Sequence, residues 1–161
     1  MGFGSGLNAW LTLNHARHNG VTIEYHAIEL YPVSMRAISR MNYSDERSLM
    51  ALHEAPWDAS TEILPGFVLS KFEADLCEAE LFAIFDLVYF DAFAPDRQPE
   101  LWTAGIFSHI HNHMEPGGIQ VTYSSKGTVK QALLEAGFIV RRLPGALRKR
   151  HMVRATKSVL L

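Results

Sequence analysis

The chain has 161 residues, 48% hydrophobic and 20% charged, with a formal net charge of −2, the balance of an ordinary soluble globular domain. No apolar run approaches the ~18 residues of a membrane-spanning helix, and the glycine-rich start lacks the charged region and apolar core of a secretory signal. Cys77 is the single cysteine, which excludes an intramolecular disulfide or a cysteine-based zinc site and leads to the expectation of an intracellular, cytoplasmic protein.

The chain opens Met1-Gly2-Phe3-Gly4-Ser5-Gly6-Leu7-Asn8. Glycine at every second position, followed by an amphipathic run through Leu7, Trp10, Leu11 and Leu13, predicts a tight loop entering a helix over residues 6–18. Residues 21–29 read as a strand, and Pro32 as the opening of a helix to about Met41. Ser44 and Arg47 ahead of Leu49, Met50 and Leu52 suggest a second helix, stopped near Pro56. Residues 67–72 form the next predicted strand. The short apolar run 87–90 has the pattern of a strand buried on both faces. A helix is predicted over 99–114, ended by Pro116-Gly117-Gly118, then a strand over 119–123 and a helix over 128–136 closed by Gly137. Residues 138–143 and 151–156 read as an antiparallel hairpin at a sheet edge. The alternation of helices and strands predicts an α/β fold with a mainly parallel sheet, organised as one domain over 1–161.

Charge is uneven along the chain. Residues 1–115 carry 6 Lys/Arg against 16 Asp/Glu, whereas 116–161 carry 9 against 1. A basic C-terminal part fits a polyanionic partner such as nucleic acid; a basic surface without a partner is the plainer alternative.

Four features fall at the C-terminal ends of predicted strands or in the loop that opens a helix, where open α/β sheets bind ligands. The glycine loop has the spacing G-x-G-x-G, one residue tighter than the dinucleotide fingerprint. Glu29, 23 residues past Gly6, is placed to accept both ribose hydroxyls of an adenosine, or simply to be solvated. Asp75 can bond an adenine amino group or cap a following helix. Asp91, within Tyr89-Phe90-Asp91-Ala92-Phe93-Ala94-Pro95, is a carboxylate ringed by aromatics. Desolvation there would raise its pKa and make it a proton acceptor; the alternative is a structural Asp bonding loop amides.

Glycine loop, Glu, Asp and Asp in that order is the layout of class I S-adenosylmethionine (SAM) methyltransferases. The segments GFGSGLN, AIELYP, YFDAFAPDRQPELWT, PGGIQVTYSSKGTVKQALLEAGF and RKRHMVRATK resemble, in that order, the MnmC-type methyltransferase family, over nearly the whole chain. The resemblance implies a Rossmann-like sheet. It also implies methyl transfer from SAM to the exocyclic amine of 5-aminomethyl-(2-thio)uridine at the tRNA wobble position. Gly2, Phe3, Gly4, Gly6 and Asn8 would line the methionine half of SAM, Glu29 would hold the ribose, and Asp75 with Leu76 the adenine. Asp91 would sit beside both methyl donor and substrate amine. Phe93, Trp102 and Tyr123 would wall the pocket or stack on the base, and Lys126, Arg148, Lys149 and Arg150 would meet tRNA phosphate. Some relatives are fused to an FAD-dependent oxidase that produces the amine; here such an oxidase, or another enzyme supplying the substrate, would be a partner. The chain departs from the family at Ser5, where Thr is usual, and at His151, where Glu is more usual. Family members also place the central first strand ahead of the glycine loop, with which this sequence begins. Closure of the flanking strands, filling of the slot by another segment, and a fragmentary chain all remain open.

His109, His111 and His113 form H-x-H-x-H, but no third metal ligand accompanies the His109/His113 pair, and no metal is expected. Two other functions compete: a catalytically impaired homologue that binds tRNA or a partner protein without chemistry, and a nicotinamide-dependent oxidoreductase. The loop spacing and the lack of a catalytic His or Tyr dyad count against the latter.

Overall fold

A computed structural model describes residues 1–41, 43, 45–145 and 151–159. Ser44 and the basic trio Arg148, Lys149 and Arg150 lie outside the described residues. The structure divides into two compact units, Gly2–Glu78 and Ala79–Leu161, with Met1 belonging to the latter.

In the first unit, α1 spans Leu7–Asn19. Its Ala9, Leu13 and Ala16 are buried, a spacing of four and three that puts them on one face. Gly6 (φ 73°) and Gly20 (φ 63°) bound it in left-handed conformations that glycine adopts without penalty. β1 (Ile23–Glu29) pairs in parallel with β3 (Phe67–Glu73), from Ile23 opposite Phe67 to Glu29 opposite Glu73. Between them come α2 (Met35–Ile38), α3 (Glu46–Glu54) and β2 (Ala59–Leu64). β2 forms an antiparallel hairpin with β3 through Pro65 and Gly66 (φ 82°), so the sheet order is β1-β3-β2. Phe3, Leu13, Leu52, Phe67 and Leu69 fill the core of this unit.

In the second unit the order is β4-β5-β7-β6. β4 (Phe85–Phe90) runs parallel to β5 (Met114–Thr122). β7 (His151–Lys157) is antiparallel to both β5 and β6 (Phe138–Pro144). A 3-10 helix (Pro99–Trp102) and α4 (Ala104–Asn112) connect β4 to β5, and α5 (Gly127–Glu135) connects β5 to β6. α4 buries Phe107 and Ile110; α5 buries Val129, Ala132 and Leu133. Phe90 is the hub of an aromatic cluster, edge-on to Trp102 at 5.0 Å and to Phe107 at 5.1 Å. Phe107 is fully buried, so Phe107→Ala is expected to cost about 3–5 kcal/mol in chemical denaturation, through lost transfer energy and the cavity left behind.

The α/β reading and the C-terminal hairpin are present, but the expectation of a mainly parallel sheet is corrected: among the described residues two strand pairs are parallel and three antiparallel. Three further expectations are corrected. The helix from Pro32 to Met41 is only Met35–Ile38, because Ser34 is still extended (φ −65°, ψ 144°) and the chain turns again at Ser39. The helix over 99–114 is broken at Thr103, which is extended and whose hydroxyl accepts from the Ile106 amide at 3.3 Å to start α4 afresh. β4 is not buried on both faces: it is the edge strand of its sheet and Leu87 is 44% exposed.

Candidate active site

The glycine loop is a built structure. Gly2, Gly4 and Gly6 take φ of 80°, 51° and 73°. The Gly2 amide donates to the Ile28 carbonyl at 2.9 Å and the Gly4 amide to Glu29 Oε2 at 3.0 Å. Glu29 Oε1 accepts from the Tyr31 amide at 2.9 Å. Each carboxylate oxygen therefore has one backbone donor and keeps one lone pair, enough to accept from a diol. The loop delivers the chain into α1 with no side-chain cap and no acid in its first turn, leaving amide donors directed at whatever lies beyond the helix start. Asn8 is half-buried in that turn. These features fit an adenosine-type ligand carrying a carboxylate.

Phe3 gives its ring to the core. It is 7% exposed, edge-on to His53 (5.0 Å) and Trp57 (6.0 Å). Asp75 is half-buried, and its Oδ1 accepts from the Cys77 amide at 2.8 Å. No helix follows it, so the cap is of a turn. Leu76 beside it is buried, and Cys77 is exposed in that turn.

The second unit carries the remaining described candidates. Asp91 follows β4, its amide donating to the Met1 carbonyl at 3.1 Å; the Met1 nitrogen donates to Tyr89 O at 2.9 Å. Asp91 is exposed, so the burial expected from its aromatic neighbours is absent: Phe90 packs inward, but Phe93 is itself exposed. Tyr123 donates to Ala92 O at 2.9 Å, and Trp102 Nε1 to Phe93 O at 2.8 Å. Two aromatic residues thus pin the loop that follows Asp91 by its backbone. Burial holds the Tyr123 phenol above its ordinary pKa, and the negative charge of Asp91 adds to the shift. Trp102 is buried whereas Phe93 is 70% exposed, so Phe93 offers a ring for stacking and Trp102 forms wall. An open groove of about 580 Å³ is lined by Pro95, Asp96, Pro99, Trp102, Lys126 and the start of α5. Lys126 pairs with Asp96 at its rim.

Two residues that sequence reading passed over lie beneath the glycine loop. His53 Nε2 is 3.2 Å from Ser5 O. Burial, reinforced by the charge of Lys71, holds its imidazole below the ordinary value against the opposing pull of the Ser5 carbonyl; the neutral ring donates from Nε2 to that oxygen. Lys71 is fully buried and donates to His53 O at 2.9 Å. A lone lysine in the apolar run Phe67-Val68-Leu69-Ser70-Lys71-Phe72 was the available signal. Among the described residues no cluster of His, Cys, Asp or Glu could hold a metal. His109 instead lies 3.2 Å from Ala79 O, and His113 Nδ1 lies 2.9 Å from His109 O. No helix among the described residues is long and apolar enough to cross a membrane.

The glycine loop, the strand-end carboxylate and the strand orders define an α/β protein of the Rossmann-like methyltransferase class. The crystal structure of a methyltransferase from Pyrococcus furiosus shares this fold (TM-score 0.60, 15% identity, 98% of this chain and 72% of that one). The chain belongs to the S-adenosyl-L-methionine-dependent methyltransferase family, whose sequence pattern matches residues 58–158. It is 29% identical to the tRNA 5-methylaminomethyl-2-thiouridine biosynthesis bifunctional protein MnmC of Pseudomonas aeruginosa, over 96% of this chain and 26% of that protein. The MnmC of Ralstonia nicotianae is 32% identical over 94% of this chain and 25% of its own length. The crystal structure of MNMC2 from Aquifex aeolicus matches with a TM-score of 0.76 and 28% identity, covering 98% of this chain and 51% of that one. The chain thus spans about a quarter of the length of these curated relatives.

Proposed function

We propose that residues 1–161 form one methyltransferase domain that transfers the methyl group of SAM to the exocyclic amine of 5-aminomethyl-(2-thio)uridine at the tRNA wobble position. The observation that carries this reading is the coupling of the glycine loop to Glu29 through the Gly4 amide, in a chain similar over 98% of its length to MNMC2. SAM supplies an electrophilic methyl group on sulfur. Gly2, Gly4, Gly6 and Asn8 hold its methionine half with the help of the α1 amides, Glu29 the ribose, and Asp75 with Leu76 the adenine. Asp91 orients the neutral amine and takes up the proton it loses. The wobble base, splayed from a single-stranded loop, stacks on Phe93 beside the wall made by Trp102 and Tyr123. Lys126 and the trio Arg148, Lys149 and Arg150 meet phosphate, so tRNA affinity falls with salt. An FAD-dependent oxidase or another enzyme supplies the aminomethyl group, and the reaction belongs in the cytoplasm.

Calorimetry with S-adenosylhomocysteine and methyl transfer to tRNA bearing the aminomethyl base test this reading. Saturating ligand at about 100 times its Kd should raise folding stability by about 2.7 kcal/mol. No binding at millimolar ligand, alongside salt-dependent tRNA binding, would instead favour a homologue that holds RNA without chemistry.

A further inference from the structure

The one fully buried charge in the first unit has no acidic partner among the described residues. Lys71 is 0% exposed. Its ammonium donates to the His53 carbonyl at 2.9 Å and lies over the rings of Trp57, at 4.6 Å, and Phe3, at 5.2 Å. Both distances are within the reach of a cation–π contact, which strengthens when desolvated. Phe3 stands between Gly2 and Gly4. His53, whose carbonyl Lys71 holds, bonds Ser5 O with its ring and lies 2.9 Å from where a Cβ on Gly6 would be. One ammonium thus touches the underside of the loop directly through Phe3 and indirectly through His53.

We propose that Lys71 is a positioning residue for the cofactor loop, its ammonium clasped by Phe3 and Trp57 so that the left-handed glycines are held in the geometry that receives the methyl donor. This rests on the reading that the loop binds SAM. A buried unpaired cation is costly, and a methionine of similar length would fill the same space without that cost. A positioning role accounts for an ammonium here.

The proposal has a pH signature. Burial pushes Lys71 down to about 8, so the ammonium is lost from the folded protein well before it would be lost from the unfolded chain. Between these two values the unfolded state binds more protons, and folding stability contributed by this group rises with pH. Donor affinity should move the opposite way, because the clasp on Phe3 disappears with the charge. The other ionisable groups around Lys71 are His53 on α3, Asp58 whose amide donates to Lys71 O at 2.7 Å, Tyr25 and Glu29 on β1, and Glu73 on β3. β2 presents Ala59 and Thr61 and no charge on that face. The Lys71→Met comparison, made at each pH, cancels every contribution that does not pass through the Lys71 ammonium.

The test is calorimetric titration of the full chain with S-adenosylhomocysteine from about pH 6.5 to about pH 9.5, on wild type, Lys71→Met and Trp57→Leu, with thermal melts at each pH. Wild type should lose about five- to thirtyfold in affinity on rising through pH 8, while its melting temperature does not follow. Lys71→Met should bind five- to thirtyfold more weakly than wild type at about pH 7 and converge with it at high pH. Trp57→Leu, which keeps the charge and removes one ring, should fall between and retains a test if Lys71→Met does not fold. Equal affinities at neutral pH, or parallel pH profiles, overturn the proposal. Wild type that binds no ligand at any pH instead removes the loop reading beneath it.

Discussion

Asp91→Ala is expected to lower methyl transfer by about 10²- to 10⁴-fold while leaving S-adenosylhomocysteine affinity within about threefold, or ~0.6 kcal/mol. The attacking amine must be neutral, and methylation leaves its nitrogen with a proton to lose. A carboxylate at the end of β4 can hold the lone pair in line and accept that proton. The truncation leaves the backbone placement intact, since the bonds that anchor this end of β4 run from Asp91 N to Met1 O and from Met1 N to Tyr89 O. Exposure decides how the carboxylate works. Asp91 is open to solvent, so its contribution is orientation and proximity. A second readout is independent of turnover. The charge of Asp91 adds to the burial that raises the Tyr123 pKa, so Asp91→Asn should let that phenol ionise at lower pH in an ultraviolet titration. Undiminished methyl transfer by Asp91→Ala would remove the residue from the reaction.

The elements that were legible in the sequence are those whose signals are local. α1, β1 and α5 each carry their own local pattern, the two helices with glycine stops at Gly20 and Gly137, and the structure places all three within two residues of expectation. β2 was missed because Ser60, Thr61 and Glu62 offer no apolar alternation; its one local signal, Pro65-Gly66, marks the hairpin turn and not the strand before it. The surroundings of Asp91 were misjudged because an apolar run does not say whether its strand is central or at an edge. Leu87-Val88-Tyr89-Phe90 suits burial on both faces, but β4 has one neighbour in its sheet. The lone lysine in the apolar run marks Lys71, but its role was out of reach: what gives it meaning is the His53 carbonyl, the Phe3 ring and the Trp57 ring, and none is near it in sequence. The chemistry-bearing residues at strand ends were visible one by one; the supports beneath them are tertiary facts.

Gly6→Ala should be the most damaging single change to cofactor binding, and comparison with two other glycines isolates the reason. All three positions are left-handed: Gly4 at φ 51°, Gly6 at 73° and Gly20 at 63°. A Cβ in that region costs about 1–2 kcal/mol wherever it is placed. At Gly4 and Gly20 nothing else lies within 4 Å of the added carbon, whereas at Gly6 it would stand 2.9 Å from His53 Nε2 and 3.5 Å from Leu49 Cδ1. His53 is packed against Phe3 and bonded to Ser5 O, so its ring can retreat only by giving up that bond, a further ~1 kcal/mol. The free loop can relax away from the strain, and the ligand must then restore it, so the penalty appears in affinity as a conformational tax. Gly6→Ala is therefore expected to weaken S-adenosylhomocysteine by about 2–3 kcal/mol, roughly 30- to 150-fold. Gly4→Ala should lose about 5- to 30-fold. Gly20→Ala, at the far end of α1, should lower the melting temperature and leave binding unchanged. Calorimetry and thermal melts on the three variants separate these outcomes. If Gly6→Ala binds as well as Gly4→Ala, the buried histidine is not a support of the loop.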